Sequence, residues 1–289
     1  MRLKGIYAKK HKASKLGILF LLIFISVILH TIIATGIVYL FFENSEIDAL
    51  RISTLFSLLG IFFTPILLYS YLCDFDLRFN FSRGSFRFLL LAIVIMFLIQ
   101  PLISFLYGWN MSFSEYFPDW ANNFEEQAKI MTERLLKMNS LGELGFNLLV
   151  LAIAPAIAEE VFFRGYVQKK CAKWLGRPHL SIIITAIIFS AIHFQLQGFL
   201  PRFMLGLVLG YFMYWSGSIW MPIIGHFLNN AALVVFSYPP FLKYINLPES
   251  YMSLSESEIA TTWQEAFFSF MAVALLLFLF QKSPGIKKG

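Results

Sequence analysis

Leu148-Leu149-Val150-Leu151-Ala152-Ile153-Ala154-Pro155-Ala156-Ile157-Ala158-Glu159-Glu160-Val161-Phe162-Phe163-Arg164 is the stretch whose reading decides the fold. The run is apolar enough for a membrane core, yet it carries two carboxylates and a guanidinium. An ionisable group in hydrocarbon is expensive unless it is paired or lines a wet cavity, so it marks a functional site by default. Two further polar groups interrupt apolar segments downstream: His193, and His226 with Asn229 and Asn230. Carboxylate, imidazole and carboxamide are the groups that perform hydrolytic chemistry.

The composition agrees with a membrane protein. The 289 residues are 58% hydrophobic, 18% aromatic and 14% charged. Soluble domains carry about 25% charged residues. The apolar residues come in long runs without strand-like alternation, which points to an all-α, polytopic transmembrane helix bundle and away from a barrel. Segments of approximately 16–42, 52–72, 86–107, 142–174, 180–197, 200–216, 219–237 and 262–281 make about eight spanning helices. The apolar run after residue 16 is too long for a signal-peptide core, so it is retained as a helix.

Charge placement sets the orientation. Arg2, Lys4, Lys9, Lys10, Lys12 and Lys15 precede the first helix and anchor it at an anionic cytoplasmic surface, with no need for nucleic acid. Glu43, Glu46 and Asp48 fall outside; Arg78, Arg83 and Arg87 fall inside. Lys169, Lys170, Lys173 and Arg177 lie inside, Glu249, Glu256 and Glu258 outside, and Lys282, Lys287 and Lys288 inside. Both termini are therefore expected in the cytoplasm, with Arg202 a lone exception at an outer turn. Cys73 and Cys171 lie near cytoplasmic helix ends, where a disulfide is not expected.

Between residues 115 and 138, Phe117, Trp120, Phe124, Met131, Leu135 and Met138 recur at helical spacing among charged residues. This predicts one extracytoplasmic amphipathic helix, either a structural cap or a lid. Three regions follow. Residues 1–141 hold the basic tail, three spanning helices and the surface helix. Residues 142–237 form a four-helix catalytic core. Residues 238–289 hold an outer loop, the last helix and a basic tail.

Helical phase orders the polar groups. Glu160 and Arg164 are four residues apart and share a face, so they can pair. Glu159 is rotated by about 100° and can face the bundle interior as a general base. Phe189 and His193 share a face of their segment. His226 shares a face with both Asn229 and Asn230, and spacing does not choose between them. Glu159 and His193 sit at similar depth along an antiparallel hairpin, and His226 somewhat lower. Gly206 and Gly210 are a small-xxx-small pair that would draw segments 180–197 and 219–237 together. His30 in the first helix reads as a hydrogen-bonded structural histidine.

No G-x-S-x-G, H-E-x-x-H or P-loop is present. What remains is water activated by a carboxylate and a histidine, with a histidine and an asparagine to hold an oxyanion. Zinc bound by Glu159, His193 and His226 is the competing chemistry.

At these residues the chain resembles the CPBP family of intramembrane proteases, which groups type II CAAX prenyl endopeptidases with bacterial relatives. The family pattern E-E-x-x-x-R, F-x-x-x-H and H-x-x-x-N appears in order as Glu159-Glu160…Arg164, Phe189…His193 and His226…Asn230. The resemblance covers about 142–237. It implies that Glu159 and His193 activate water, that His226 and Asn230 form the oxyanion hole, and that Glu160 and Arg164 support the site. It favours Asn230 over Asn229, and metal-independent glutamate chemistry without a cofactor over zinc. The implied partners are a peptide or membrane-protein substrate and the lipid bilayer, in a bacterial plasma membrane. A non-enzymatic scaffold or bacteriocin-immunity-type protein, and an ion-coupled carrier, are the alternative classes.

Overall fold

The structure is a computed structural model and describes residues 4–73, 86–245 and 261–282. Among these, the secondary structure is helical and no strand occurs. The principal helices are α1 (Lys12–Phe41), α2 (Glu46–Cys73), α3 (Phe86–Met111), α4 (Asp119–Leu135) and α5 (Leu141–Leu175). They continue as α6 (Pro178–Ala191), α7 (Phe199–Ser216), α8 (Trp220–Phe236), α9 (Pro239–Tyr244) and α10 (Trp263–Gln281).

All eight apolar segments expected from the sequence are helical. Five of them (α1, α2, α3, α5 and α10) are long and apolar enough to cross a membrane, so the chain is a multi-pass membrane protein. Helix α6 has 14 residues and α8 has 17. Fourteen residues rise about 21 Å, short of the hydrocarbon thickness of about 30 Å. The 180–197 segment is corrected accordingly: its helix stops at Ala191 and residues 192–198 form a loop. The outer face of α1 exposes Phe24 (65%) and Ile32 (63%), as a lipid-facing helix would. Arg2, Arg78, Arg83, Glu249, Glu256, Glu258, Lys287 and Lys288, used above for orientation, lie outside the described residues.

Local signals in the sequence explain the helix ends. Helix α5 starts with a capping box, Ser140 with Glu143, and α10 with another, Thr262 with Glu265. Each satisfies first-turn donors that hydrocarbon would not. Gly176 (φ 64°) ends α5 and Gly217 (φ 65°) ends α7, both left-handed positions that favour glycine. Helix α5 widens to π-helical hydrogen bonding at Leu148–Ile153 and again at Phe163–Gln168, so the glutamates lie between two bulges. Such bulges are common at functional sites.

One core joins α3, α7, α8 and α10 through Ile95, Leu209, Phe212, Met221 and Phe280. A second packs Phe62, Phe163 and Phe189, fastening α2 and α6 to α5. The paired glycines act differently from the sequence expectation. A Cβ on Gly206 would lie 3.0 Å from Ala186 Cβ, and one on Gly210 would lie 2.7 Å from Ile182 Cγ2. They bring α7 onto α6. Close approach of α8 to α7 depends instead on Gly225, whose Cβ would meet Leu209 and Phe212.

Two other polar groups are structural. His30 Nδ1 bonds the carbonyl of Ser26 at 2.8 Å, and Nε2 lies 3.2 Å from Thr64 Oγ1. Arg51, 2% exposed, donates to Asn147 Oδ1 at 2.7 Å and to Asp48 Oδ1 at 2.9 Å. Asn147 in turn donates to the carbonyl of Leu135, tying α2, α5 and the end of α4 together. The sequence reading missed this network.

Candidate active site

Helix α5 brings both glutamates inward, and helical phase separates them as expected. Glu160 and Arg164 are fully buried and pair at 2.8 Å. Arg164 also donates 3.1 Å to the carbonyl of Gly206, and Gln168, one turn on, donates 3.1 Å to Gly210. A Cβ on Gly210 would lie 3.1 Å from Gln168 Oε1, so glycine there leaves room for that side chain against α7. These bonds anchor the charged pair against α7.

Glu160 has a second partner that spacing did not reveal. His226 Nδ1 lies 2.9 Å from the same Oε1 that accepts Arg164. The two residues are 66 positions apart and no local pattern links them. The proposed support and the proposed oxyanion hole are thus one hydrogen-bonded unit: Arg164, Glu160, His226. Glu159 is buried at 7% exposure and makes no hydrogen bond among the described residues. It lies within electrostatic range of His226, Glu160, Arg164 and Arg202. One carboxylate therefore has two hydrogen-bond partners, and the other has none among the described residues.

Phe189 is the hub of the site. Its ring centre is 5.3 Å from that of His193, 5.9 Å from that of His226 and 5.1 Å from that of Phe163. The Arg164 guanidinium sits 4.9 Å from the same centroid. One aromatic ring thus separates and orients two imidazoles while its face meets a cation, an arrangement favoured by the ring quadrupole. This contact brings the His193 and His226 regions together. No hydrogen bond joins Glu159 to His193 among the described residues.

His193 stands two residues past the end of α6 and is half-buried. Its Nδ1 lies 2.8 Å from the carbonyl of Phe189. A carbonyl can only accept, so Nδ1 carries the proton and the lone pair of neutral His193 is on Nε2. The following residue, Phe194, has φ 55°. A bulky residue in the left-handed region costs about 1–3 kcal/mol and persists only where surrounding contacts impose it.

Asn230 is held by the backbone of α5. Its Nδ2 donates 3.1 Å to the carbonyl of Leu151, in the first π-helical stretch. Asn230 Oδ1 accepts Asn229 Nδ2 at 3.3 Å, and Asn229 Oδ1 accepts Gln100 Nε2 at 3.4 Å. The Asn230 amide is therefore oriented at both ends and keeps one N–H. Asn229 faces a different place, a cavity of about 710 Å³ among α3, α7, α8 and α10 that Gln100, Ser104, Tyr107 and Arg202 also line. Glu159, His193, His226 and Asn230 do not line it.

Gln100, Asn110 and the Leu151 carbonyl escaped the sequence reading, and Arg202 was read only as an exception in the charge pattern. Arg202 had a usable signal, as a charge in an otherwise apolar helix. The zinc alternative needs Glu159, His193 and His226 to converge on one point. Among the described residues no three His, Cys, Asp or Glu side chains gather closely enough to hold a metal ion.

Helix α4 bears out the predicted amphipathic segment. It buries Ala121 and Leu135 and exposes Trp120 and Phe124. Phe124 meets Phe194 at 6.1 Å, beside His193.

Residues 142–232 match the family model described as Type II CAAX prenyl endopeptidase Rce1-like. A curated relative, the uncharacterized protein YpbD of Bacillus subtilis (strain 168), is 27% identical over 89 residues, which is 29% of this chain and 42% of that protein. The chain thus spans less than half the length of the relative it matches. No solved structure matches. The matched segment contains α6, α7, most of α5 and most of α8, hence every residue of the Arg164–Glu160–His226 unit, and it is this part of the chain that is similar to the Rce1-like, type II CAAX prenyl endopeptidases.

Proposed function

We propose that this protein is an intramembrane endopeptidase that cuts a peptide bond with water activated by Glu159 and His193. The observation that carries the reading is the division of labour between neighbouring carboxylates. Glu160 is consumed by Arg164 and His226, whereas Glu159 keeps both oxygens unbonded among the described residues. The match of residues 142–232 to a peptidase family supports the reaction class.

In this mechanism, the Nε2 lone pair of His193 accepts one O–H of the water and orients it, while Glu159 takes the other proton as the water oxygen adds to the substrate carbonyl carbon. The carbonyl becomes an oxyanion. His226 Nε2–H and the remaining Asn230 N–H donate to it. Donation from Nε2 while Nδ1–H stays on Glu160 requires the imidazolium. Charge then balances: Glu159 and Glu160 against Arg164 and His226. As the C–N bond breaks, the proton held by Glu159 passes to the leaving amine. No covalent acyl-enzyme forms.

The catalytic unit is residues 142–237, within a plasma-membrane protein whose termini face the cytoplasm. Its partners are a peptide or membrane-protein substrate and the lipid bilayer. The chemistry needs no metal, so dialysis against a chelator leaves cleavage intact.

Substrate trapping tests the proposal. Glu159→Gln protein, crosslinked in its native membranes, is expected to retain a protein that wild-type enzyme in proteoliposomes then cleaves and His193→Ala does not. Equal cleavage of the trapped protein by Glu159→Gln overturns the reading.

A further inference from the structure

The loop of residues 192–198 has to hold His193 in place without helical hydrogen bonds. Helix α6 has 14 residues, too few to cross a bilayer, and irregular backbone next to a short membrane helix is tolerated where its carbonyls find partners in the protein. Three of the loop's carbonyls are met by side chains from two helices. Arg202 of α7 donates to the Gln195 carbonyl at 3.2 Å and to the Gln195 side-chain oxygen. Asn110 of α3 donates to the carbonyls of Leu196 and Gln197, the latter at 2.8 Å. Just beyond the loop, Ser190 of α6 donates 2.7 Å to the carbonyl of Phe199, the first residue of α7.

The same loop contains Phe194 at φ 55°. Such a conformation persists only when neighbouring contacts over-determine it. Gly198 supplies room for one of them. A Cβ at that position would run into the Arg202 guanidinium, which lies against the glycine backbone. Arg202 also lies within electrostatic range of both Glu159 and His193.

We propose that Asn110 and Arg202 are positioning residues that clamp the 192–198 loop and so fix the imidazole of His193, with Gly198 as the seat of the guanidinium. The consequence for catalysis rests on His193 having the role given under Proposed function; the clamp itself does not. The glycine offers a mild way to disturb it. Gly198 has φ −89° and ψ 7°, which alanine adopts freely, and the obstacle is the far end of a flexible side chain. Gly198→Ala should therefore fold and still displace Arg202.

The test uses the full chain in lipid nanodiscs, labelled with ¹⁵N-histidine and assigned by replacing each of its five histidines in turn. Wild-type His193 is expected to show one resonance pair with Nδ1 protonated. In Gly198→Ala, Arg202→Lys and Asn110→Ser the His193 pair is expected to shift or double, while His30 stays in place and the melting temperature changes little. On the trapped substrate, kcat should fall at least tenfold with KM within about twofold, because the loop aims a base and binds nothing. An unmoved His193 resonance in all three variants overturns the clamp. If the resonance moves but His193→Ala still cleaves, the clamp stands and the role of His193 in the reaction falls.

Discussion

Glu160 Oε1 and His226 Nδ1 are 2.9 Å apart, joining helices α5 and α8 at a buried carboxylate that also holds Arg164. That contact makes Glu159 and Glu160 separable by experiment although they are adjacent in the chain. Glu160→Gln leaves Arg164 as a buried cation without its anion, and breaking such a pair costs about 3–5 kcal/mol. Its melting temperature should drop and activity should be lost. Glu159→Gln removes no hydrogen bond, so activity should vanish with the melting temperature nearly unchanged. Thermal unfolding beside cleavage rates on both variants checks this; equal destabilisation by the two would contradict it.

The two asparagines should differ in kind. Asn230 Nδ2 is fixed by the Leu151 carbonyl, and removing one oxyanion donor costs about 10²–10³ in kcat. Asn230→Ala should show that loss. Asn229→Ala, whose side chain faces the separate cavity, should lose less than about tenfold by the same comparison. The reverse ranking in steady-state kinetics would place the oxyanion on Asn229.

Adding a methyl group at either helix-contact glycine should destabilise the bundle without touching chemistry directly. At Gly210 the Cβ would stand 2.7 Å from Ile182 Cγ2, and overpacking costs about 1–3 kcal/mol. Gly210→Ala should unfold at lower temperature, and Gly36→Ala, where nothing lies within 4 Å of the new Cβ, should not. Thermal scans of both in one lipid condition make the comparison.

The network around Arg51 predicts a stability effect far from the glutamates. Asn147→Leu would leave the guanidinium without its 2.7 Å acceptor, and an unsatisfied buried polar group costs about 1–3 kcal/mol, more for a charged one. The variant should lose thermal stability while kcat per folded molecule is retained. Loss of kcat at full stability would contradict a purely structural role.

How much of this was legible in the chain depends on sequence distance. Relationships within one helix were: the i,i+4 spacing of Glu160 and Arg164 and the rotation of Glu159. So were the turns at Gly176 and Gly217, whereas Phe189 and His193 meet although His193 lies past the end of the helix that the sequence reading gave them. The class of fold was legible too, because hydrocarbon leaves the backbone few options. Relationships across helices were not. His226 reaches Glu160 because α5 and α8 pack side by side, and no periodicity encodes that. The end of α6 at Ala191 was hidden because apolar residues continue through Leu196, so hydropathy ran on where the backbone turned. Arg202 looked like an exception to the charge rule, and in the structure it is a ligand of the His193 loop. The partner of the Gly206–Gly210 pair was misjudged because a small-residue stripe shows where a close approach is possible, not which neighbour makes it.

Metal dependence is a separate prediction. Cleavage by protein dialysed against a chelator should equal that of untreated protein within twofold, and zinc should not raise it. Loss on chelation, restored by zinc, would transfer the role of water activation to a metal held by Glu159, His193 and His226.

The most direct measurement of the central claim is single-turnover cleavage of the trapped substrate by Glu159→Gln protein whose melting temperature matches wild type. Water activation by Glu159 predicts a rate reduced by at least about 10², the size of a general-base contribution. Cleavage at the wild-type rate would contradict it.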